Sequence, residues 1–324
     1  MRNPSEFTIT RRKFMGAATA FGAAMMVPLV SIGQTATAPA TAPQTPSPGT
    51  EKPAKKYQAK APSTQPFGAE AFKKSNGTTI RWLGGAGFLI NARGTTLMVD
   101  PLLEGFDMPI MIDMPIMPKG VPHLDAVLIT HSDTDHYSVA TCRDLKSVCR
   151  SYDSTEYVGS VMKKDGLPSF GHGIGDEFKI GSVKIKLTPA DHDWQNAFPQ
   201  QPGTHHFEKK DCCGFWIETP DGTIWASGDT RPMPELLKMP QMDAILLDYS
   251  EDAQFHLGLD GNVDLANAYP NTPILLGHWG TVDAPTFTPF NGDPKHLIER
   301  VENPERIQVL APGQPFRLQH LKES

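Results

Sequence analysis

Hydrophobic residues recur along this chain in short runs, and five of those runs break off within a few residues of a histidine or an aspartate. Ala126-Val127-Leu128-Ile129, Ala244-Ile245-Leu246-Leu247 and Ile274-Leu275-Leu276 are continuous apolar stretches of strand length. Val183-Lys184-Ile185-Lys186-Leu187 alternates apolar and polar residues, as a half-buried strand does. Thr223-Ile224-Trp225-Ala226-Ser227 and Leu97-Met98-Val99 also read as strands, and the spacing of Val139, Cys142, Leu145 and Val148 predicts a helix. Gly84, Gly85 and Gly87 permit a close backbone bend between short strands. They are no nucleotide loop, because the lysine and helix such a loop requires are missing.

The stretch Thr130-His131-Ser132-Asp133-Thr134-Asp135-His136 follows the first of these runs and gathers metal-binding residue types at one strand end. Imidazole and carboxylate hold borderline and hard divalent cations. The competing reading is a polar turn whose Ser, Asp and Thr cap the helix beginning near Tyr137. The other runs end at His192, Asp229, His278 and Asp248. Each alone reads equally as a capped turn. Together they point to one centre, because in layered α/β folds the loops beyond the strands' carboxyl ends converge on a single crevice.

With these residues in place, the sequence resembles the metallo-β-lactamase-fold superfamily, whose signature is HxHxDH followed by a distant His, an Asp and a last His. Arg81-Trp82-Leu83-Gly84-Gly85-Ala86-Gly87-Phe88-Leu89-Ile90, Met98-Val99-Asp100-Pro101, Ser227-Gly228-Asp229-Thr230 and Val309-Leu310-Ala311-Pro312-Gly313 extend the match from about Phe67 to Leu318. Their order looks most like the branch of ascorbate-phosphate lactonase and the N-acylphosphatidylethanolamine phospholipase D relatives. The resemblance implies an α/β fold, a four-layer αββα sandwich of two mixed sheets, one from about Thr78 to Leu187 and the other from about Phe215 to Leu318. It further implies two divalent ions: His131, the third motif residue and His192 on the first, Asp135, His136 and His278 on the second, and Asp229 between them. Here the third motif residue is Asp133 where most members have histidine. A carboxylate there keeps zinc as the expected ion but moves the preference toward manganese or iron, or weakens the site.

The implied activity is hydrolysis: a metal-bound hydroxide attacking a lactone, amide or phosphodiester, with Asp135 orienting it or taking a proton. The substrate is expected to be a small molecule, and an anionic one would gain from the amino-terminal dipole of the helix near Tyr137. The alternative is a non-catalytic or mononuclear metal-binding module, its first site decayed at Asp133, that captures a small ligand. Among the remaining polar residues, Asp100 is expected beside a ligating imidazole. Asp248 is read as either a neighbour of the ligands or a cap. His256 is read as a solvated loop residue, with substrate contact the alternative. His205 and His206 fall in a segment expected to be lid or plain surface, and His172 reads as a turn residue.

Thr10-Arg11-Arg12-Lys13-Phe14-Met15 is a twin-arginine pattern, followed by an alanine-rich apolar run to about Ile32. It predicts a signal peptide over 1–40, passage through the twin-arginine export machinery, and a periplasmic or otherwise exported protein, membrane-tethered where the signal stays uncleaved. Residues 41–66, rich in Ala, Thr, Pro and Lys, are expected to be a disordered linker. The remaining 67–320 is expected to be one domain. A net charge of -6 with no basic cluster beyond the signal argues against a nucleic-acid surface. In an exported protein, Cys142, Cys149, Cys212 and Cys213 are either disulfide partners or buried thiols, and Cys142 and Cys149 are too far apart along the helix to pair.

Overall fold

Period-two alternation along the first strands sorts their side chains onto two faces, and both faces are buried. In the computed structural model, which describes residues 57–198 and 203–321, β1 (Thr78–Gly84), β2 (Gly87–Ala92), β3 (Thr95–Val99) and β4 (Ala126–Leu128) lead the chain. Ile80, Trp82, Phe88, Ile90, Leu97, Val99 and Leu128 point into the core between two sheets. Leu83, Leu89, Met98 and Val127 point the other way, against Cys142 and Leu145 of α1 (Val139–Leu145) and Val158 and Met162 of α2 (Glu156–Lys164). Ser138 and Thr155 start these helices, each accepting a backbone N–H from the first turn.

Beyond β5 (Tyr152–Thr155) and β6 (Ser169–His172), the chain enters the second sheet through β7 (Glu177–Ile180), β8 (Val183–Pro189), β9 (Cys213–Thr219), β10 (Gly222–Ala226), β11 (Ala244–Asp248), β12 (Ile274–Gly277) and β13 (Ile307–Gln308). α3 (Gly258–Ala268) and α4 (Pro294–Ile298) cover it through Val263, Leu265, Ala266 and Leu297. With β14 (Pro315–Arg317), the sheet orders are β14-β1-β2-β3-β4-β5-β6 and β13-β12-β11-β10-β9-β8-β7. In each sheet the antiparallel half passes into a parallel half. The result is the four-layer αββα sandwich of two mixed sheets.

Two expected boundaries move. β7 and β8 pair with β9 in the second sheet, so the first sheet's continuous stretch ends at His172, before Leu187. The final strand β14 crosses back to pair with β1. The linker boundary also shifts. The signal segment 1–40 and residues 41–56 lie outside the described residues, but 57–66 form a bonded strap along the domain. The Gln58 amide donates to the carbonyls of Val282 (2.6 Å) and Phe290 (3.3 Å) and its oxygen accepts from Ala284 N–H. Ala61 N–H donates to Gly280 and Gln65 N–H to Pro312. A segment with few large apolar groups is thus held by backbone hydrogen bonds and by small buried residues, Ala59 and Ala61. No described helix is long and apolar enough to cross a membrane.

Candidate metal centre

Parallel strands of both sheets end at the same edge of the sandwich, and their loops carry the ligand-type residues. Asp100 follows β3 and Thr130 to His136 follow β4, while Asp229, Asp248 and His278 stand at the ends of β10, β11 and β12, and His192 lies just past β8. Local sequence makes the convergence possible. Gly228 holds φ +61°, and a Cβ there would sit 2.7 Å from the Cys213 carbonyl and 3.1 Å from Thr130, so only glycine brings Asp229 past the first loop. Asp100 (φ 42°) and His278 (φ 65°) are left-handed without being glycine, a cost that clusters at functional sites. The His278 amide donates to the Gly85 carbonyl at 2.6 Å, and the Trp82 indole donates to the same oxygen. The glycine turn between β1 and β2 therefore anchors the last histidine.

The side chains meet around one carboxylate oxygen. Asp229 Oδ2 lies 2.9 Å from His256 Nε2, 3.2 Å from His136, 3.6 Å from His278, 3.9 Å from His131 and 4.0 Å from His192. Ligand atoms of Asp135, His136, Asp229 and His278 lie within 4.8 Å of one another, as do those of His131, His192 and Asp229. Asp133 Oδ2 faces His192 at 3.1 Å and His131 at 3.4 Å, and its other oxygen accepts from Gln195. His278 Nε2 faces Asp135 at 3.2 Å.

Outer contacts set the tautomers. Asp100 accepts from Thr130 N–H (2.8 Å), Thr130 Oγ1–H (2.6 Å) and His136 Nδ1–H (2.8 Å). Because the Thr130 hydroxyl proton is committed to Asp100, its oxygen accepts from His131 Nδ1–H at 3.0 Å. His192 Nδ1–H donates to the Phe255 carbonyl and His256 Nδ1–H to Asp252. These four imidazoles therefore turn Nε2 inward, and the buried His131 Nε2, His136 Nε2 and Asp229 Oδ1 have no hydrogen-bond partner. Nitrogen lone pairs packed against carboxylate oxygens need added protons or a cation between them, and the donor set fits a divalent cation.

Electrostatics follow the same geometry. Burial works against the Asp229 charge, yet His278, His256 and His136 hold its carboxyl well below the usual carboxylate range. Burial likewise opposes Asp133, which His131 and His192 nevertheless keep low. Burial would lower His136 and His256, but Asp229 and Asp100 raise the former well above its ordinary value, and Asp229 and Asp252 bring the latter to about 9. His131 falls, from burial and from the neighbouring His136. Asp248, whose carboxylate neighbours His136, is raised by burial, which His136 opposes and Asp229 and Asp100 reinforce.

The structure brings His131, Asp133, Asp135, His136, His192, Asp229 and His278 together, with Asp100 and Asp248 behind them. His256 corrects the sequence reading: it is 3 % exposed and bonded to Asp229, because its loop folds over the centre and Asp252, four residues earlier, anchors it. His205 stays outside the cluster, bonded to Asp211 and stacked on Tyr157 at 3.7 Å. His172 ends strand β6 and bonds Asp153; it is no turn residue. All four cysteines are buried, unpaired thiols. Sequence reasoning missed Thr130 and Gln195. Thr130 had a signal in its place at the strand end, whereas nothing in a lone glutamine announces a carboxylate partner.

Residues 95–279 match the family model described as the Beta-lactamase superfamily domain. A protein from Pyrobaculum neutrophilum named as a metal-dependent hydrolase is 25 % identical over 250 residues, covering 74 % of this chain and 99 % of its own. Among solved structures, a metallo hydrolase from Ignicoccus hospitalis superposes with TM-score 0.57 at 18 % identity, covering 75 % of this chain and 98 % of its own. An isothiocyanate hydrolase from Delia radicum gut bacteria superposes with TM-score 0.57 at 19 % identity, covering 74 % and 99 %. At such identities the structural likeness establishes the fold.

Proposed function

The chain belongs to the β-lactamase superfamily, and on that premise we propose that it is a metal-dependent hydrolase acting on a lactone or phosphodiester-type small molecule. One observation carries this: five imidazole Nε2 atoms lie within 4.0 Å of Asp229 Oδ2, four of them locked inward by their Nδ1 contacts. His131, Asp133 and His192 would hold one ion, Asp135, His136 and His278 a second, and Asp229 would be shared. Divalent ions at these positions supply Lewis acidity and lower the pKa of water toward neutrality. The carboxylate at Asp133 admits manganese or iron beside zinc.

The chain's own residues do the remaining work. Asp135 stands against His278 in the second ligand group, where it would orient the attacking water. Asp100 and Thr130 fix the protons of His136 and His131 on the outer nitrogens, which keeps the inner ones available as ligands. His256 holds a proton at Nδ1 against Asp252, so its Nε2 can serve Asp229 or a leaving group.

Purified protein offered lactones, phosphodiesters and β-lactams should turn over one class, and a chelator should abolish that turnover. His131→Ala, Asp229→Ala and His278→Ala should each remove it. A second reading, a metal-holding module that captures a small ligand, draws on Asp133, one of whose oxygens is occupied by Gln195. Under it, the same substitutions change stability alone and no class turns over with metal fully bound. We further place the protein among the lactonase and phospholipase D-like relatives and outside the cytoplasm, on the strength of Arg11-Arg12; cell fractionation with and without both arginines tests the export.

A further inference from the structure

Arg231 stands two residues beyond Asp229 and ties together the loops that flank that carboxylate. Its backbone N–H donates to the Asp191 carbonyl at 2.9 Å, and Asp191 N–H donates to Thr230 Oγ1, also at 2.9 Å, so the turn after β10 is joined to the loop that carries His192. The guanidinium then forks. Nη1 donates to Asp191 Oδ1 at 3.3 Å and Nη2 donates to Asp193 Oδ1, the carboxylates immediately before and after His192. Nε donates to the Gln254 carbonyl at 2.7 Å, and the guanidinium carbon lies 5.2 Å over the Phe255 ring. The two residues after Gln254 reach the centre itself: the Phe255 carbonyl accepts from His192 Nδ1–H and His256 Nε2 faces Asp229 Oδ2, each at 2.9 Å.

We propose that Arg231 is a positioning residue for the first ligand group, His131, His192 and Asp229: it orients the His192 ring by holding in one register the loop that carries the ring and the carbonyl that receives its Nδ1 proton. The proposal rests on the two-ion hydrolytic reading of the centre and gives one of its two ligand groups a dedicated support. A solvent-exposed ion pair contributes little. Arg231 differs because, from a part-buried position, its planar fork engages two carboxylates while Nε engages a carbonyl, a geometry that a lysine cannot reproduce. These contacts lie on the His192 side of the centre. His136 and His278 are held from elsewhere, by Asp100 and by the backbone of Gly85, so loss of Arg231 acts unequally on the two groups.

The test measures the zinc affinity of the purified full chain, by competition with a chromophoric chelator, in two backgrounds: His278→Ala, which leaves the first group intact, and His131→Ala, which leaves the second. Adding Arg231→Gln should weaken zinc binding on the order of tenfold in the first background, the lower end of the cost of losing support behind a ligating histidine, and leave it within about twofold in the second. Arg231→Lys keeps the charge, loses the fork and should resemble Arg231→Gln. Asp193→Asn removes one arm of the fork at a partly exposed residue, where folding is least at risk, and should lower the same affinity by a smaller factor. Arg93→Ala breaks the pair with Asp221 at the β2–β3 turn, the opposite end of β3 from the centre, and should change neither affinity. Equal losses in both backgrounds, no loss in His278→Ala, or full recovery with Arg231→Lys would each overturn the proposal. Failure of His278→Ala to bind zinc at all would overturn it too, since no separate first ion would exist to be supported. Rate assays separate this idea from its premise. Turnover in the wild type with affinities untouched by Arg231→Gln refutes the positioning role and leaves hydrolysis standing, whereas the expected affinity pattern with no substrate turned over supports the role and removes the hydrolytic reading.

Discussion

Replacing Asp100 with asparagine should cost the centre metal affinity without touching a ligand. The aspartate is fully buried and accepts three hydrogen bonds at 2.6–2.8 Å, from Thr130 N–H, Thr130 Oγ1–H and His136 Nδ1–H. All three partners are donors, which a carboxylate can satisfy and an amide cannot. Whichever way the introduced amide turned, its NH2 would face a donor. If it faced His136, the imidazole could relieve the clash only by moving its proton to Nε2, the atom 3.2 Å from Asp229 Oδ2. A protonated Nε2 cannot ligate. If it faced the Thr130 amide instead, a buried N–H would go unsatisfied, at about 1–3 kcal/mol. Lost support of a ligating imidazole typically weakens metal binding about 10–100-fold. Competition with a chromophoric chelator at fixed pH measures that loss, and thermal unfolding of the metal-free protein measures the structural cost separately. Wild-type affinity for both equivalents in Asp100→Asn would refute the tautomer argument.

Three further outcomes follow from the same geometry. Asp133→His should raise zinc retention relative to manganese when the protein is loaded from an equimolar mixture and the bound metals are counted; unchanged selectivity would mean that Asp133 is no ligand. In metal-free protein, His256 titrates near 9, above its ordinary value near 6.5, so its stabilising contribution is complete below pH ~6.5 and lost as pH rises through ~9. The loss is on the order of 3 kcal/mol. Urea midpoints at pH 6 and pH 9.5 should therefore differ more in wild type than in His256→Gln, and parallel shifts would contradict this. Gln58→Ala should destabilise by about 1–3 kcal/mol, since two carbonyls and one N–H of the 282–290 loop lose their partner; an unchanged melting temperature would show the strap to be dispensable.

How legible these features were depended on whether they had a local signature. Strands such as Ala126–Leu128 and Ile274–Gly277 are short, wholly buried and bounded by turn residues, so their apolar runs showed through. Sheet membership did not. Val183–Pro189 alternates equally well in either sheet, and its place beside β9 is decided by the pairing of Ile185 with Ile217 and Leu187 with Phe215, a long-range choice that period alone cannot reveal. Composition misreads the strap at 57–66 because it reports buried apolar area, whereas that segment is held by backbone hydrogen bonds.

The same division runs through the centre, and it explains which residues carry risk in any functional test. The ligand-type residues were visible because each ends a strand and strand ends share one edge. The residues that set their protonation were half visible: Asp100 stands at a strand end too, but Thr130 matters through a single hydroxyl whose proton goes to Asp100 and whose oxygen receives His131. His256 was legible only as the less favoured alternative to a solvated loop residue, because its position depends on the 249–257 loop folding back over Asp229 and on Asp252 four residues earlier. A carboxylate oxygen surrounded by five imidazoles is therefore the product of two layers, one written into strand ends and one into loop closure. Alanine at a ligand removes a donor from the first layer. A conservative change at Thr130, such as Thr130→Val, keeps every ligand and removes only the hydroxyl's hydrogen bonds to Asp100 and His131, so it asks whether inward-facing lone pairs, beyond the mere presence of histidines, make the centre competent. Retained metal affinity in that variant would place the weight on ligand count alone; a loss comparable to that in Asp100→Asn would place it on the hydrogen bonds behind them.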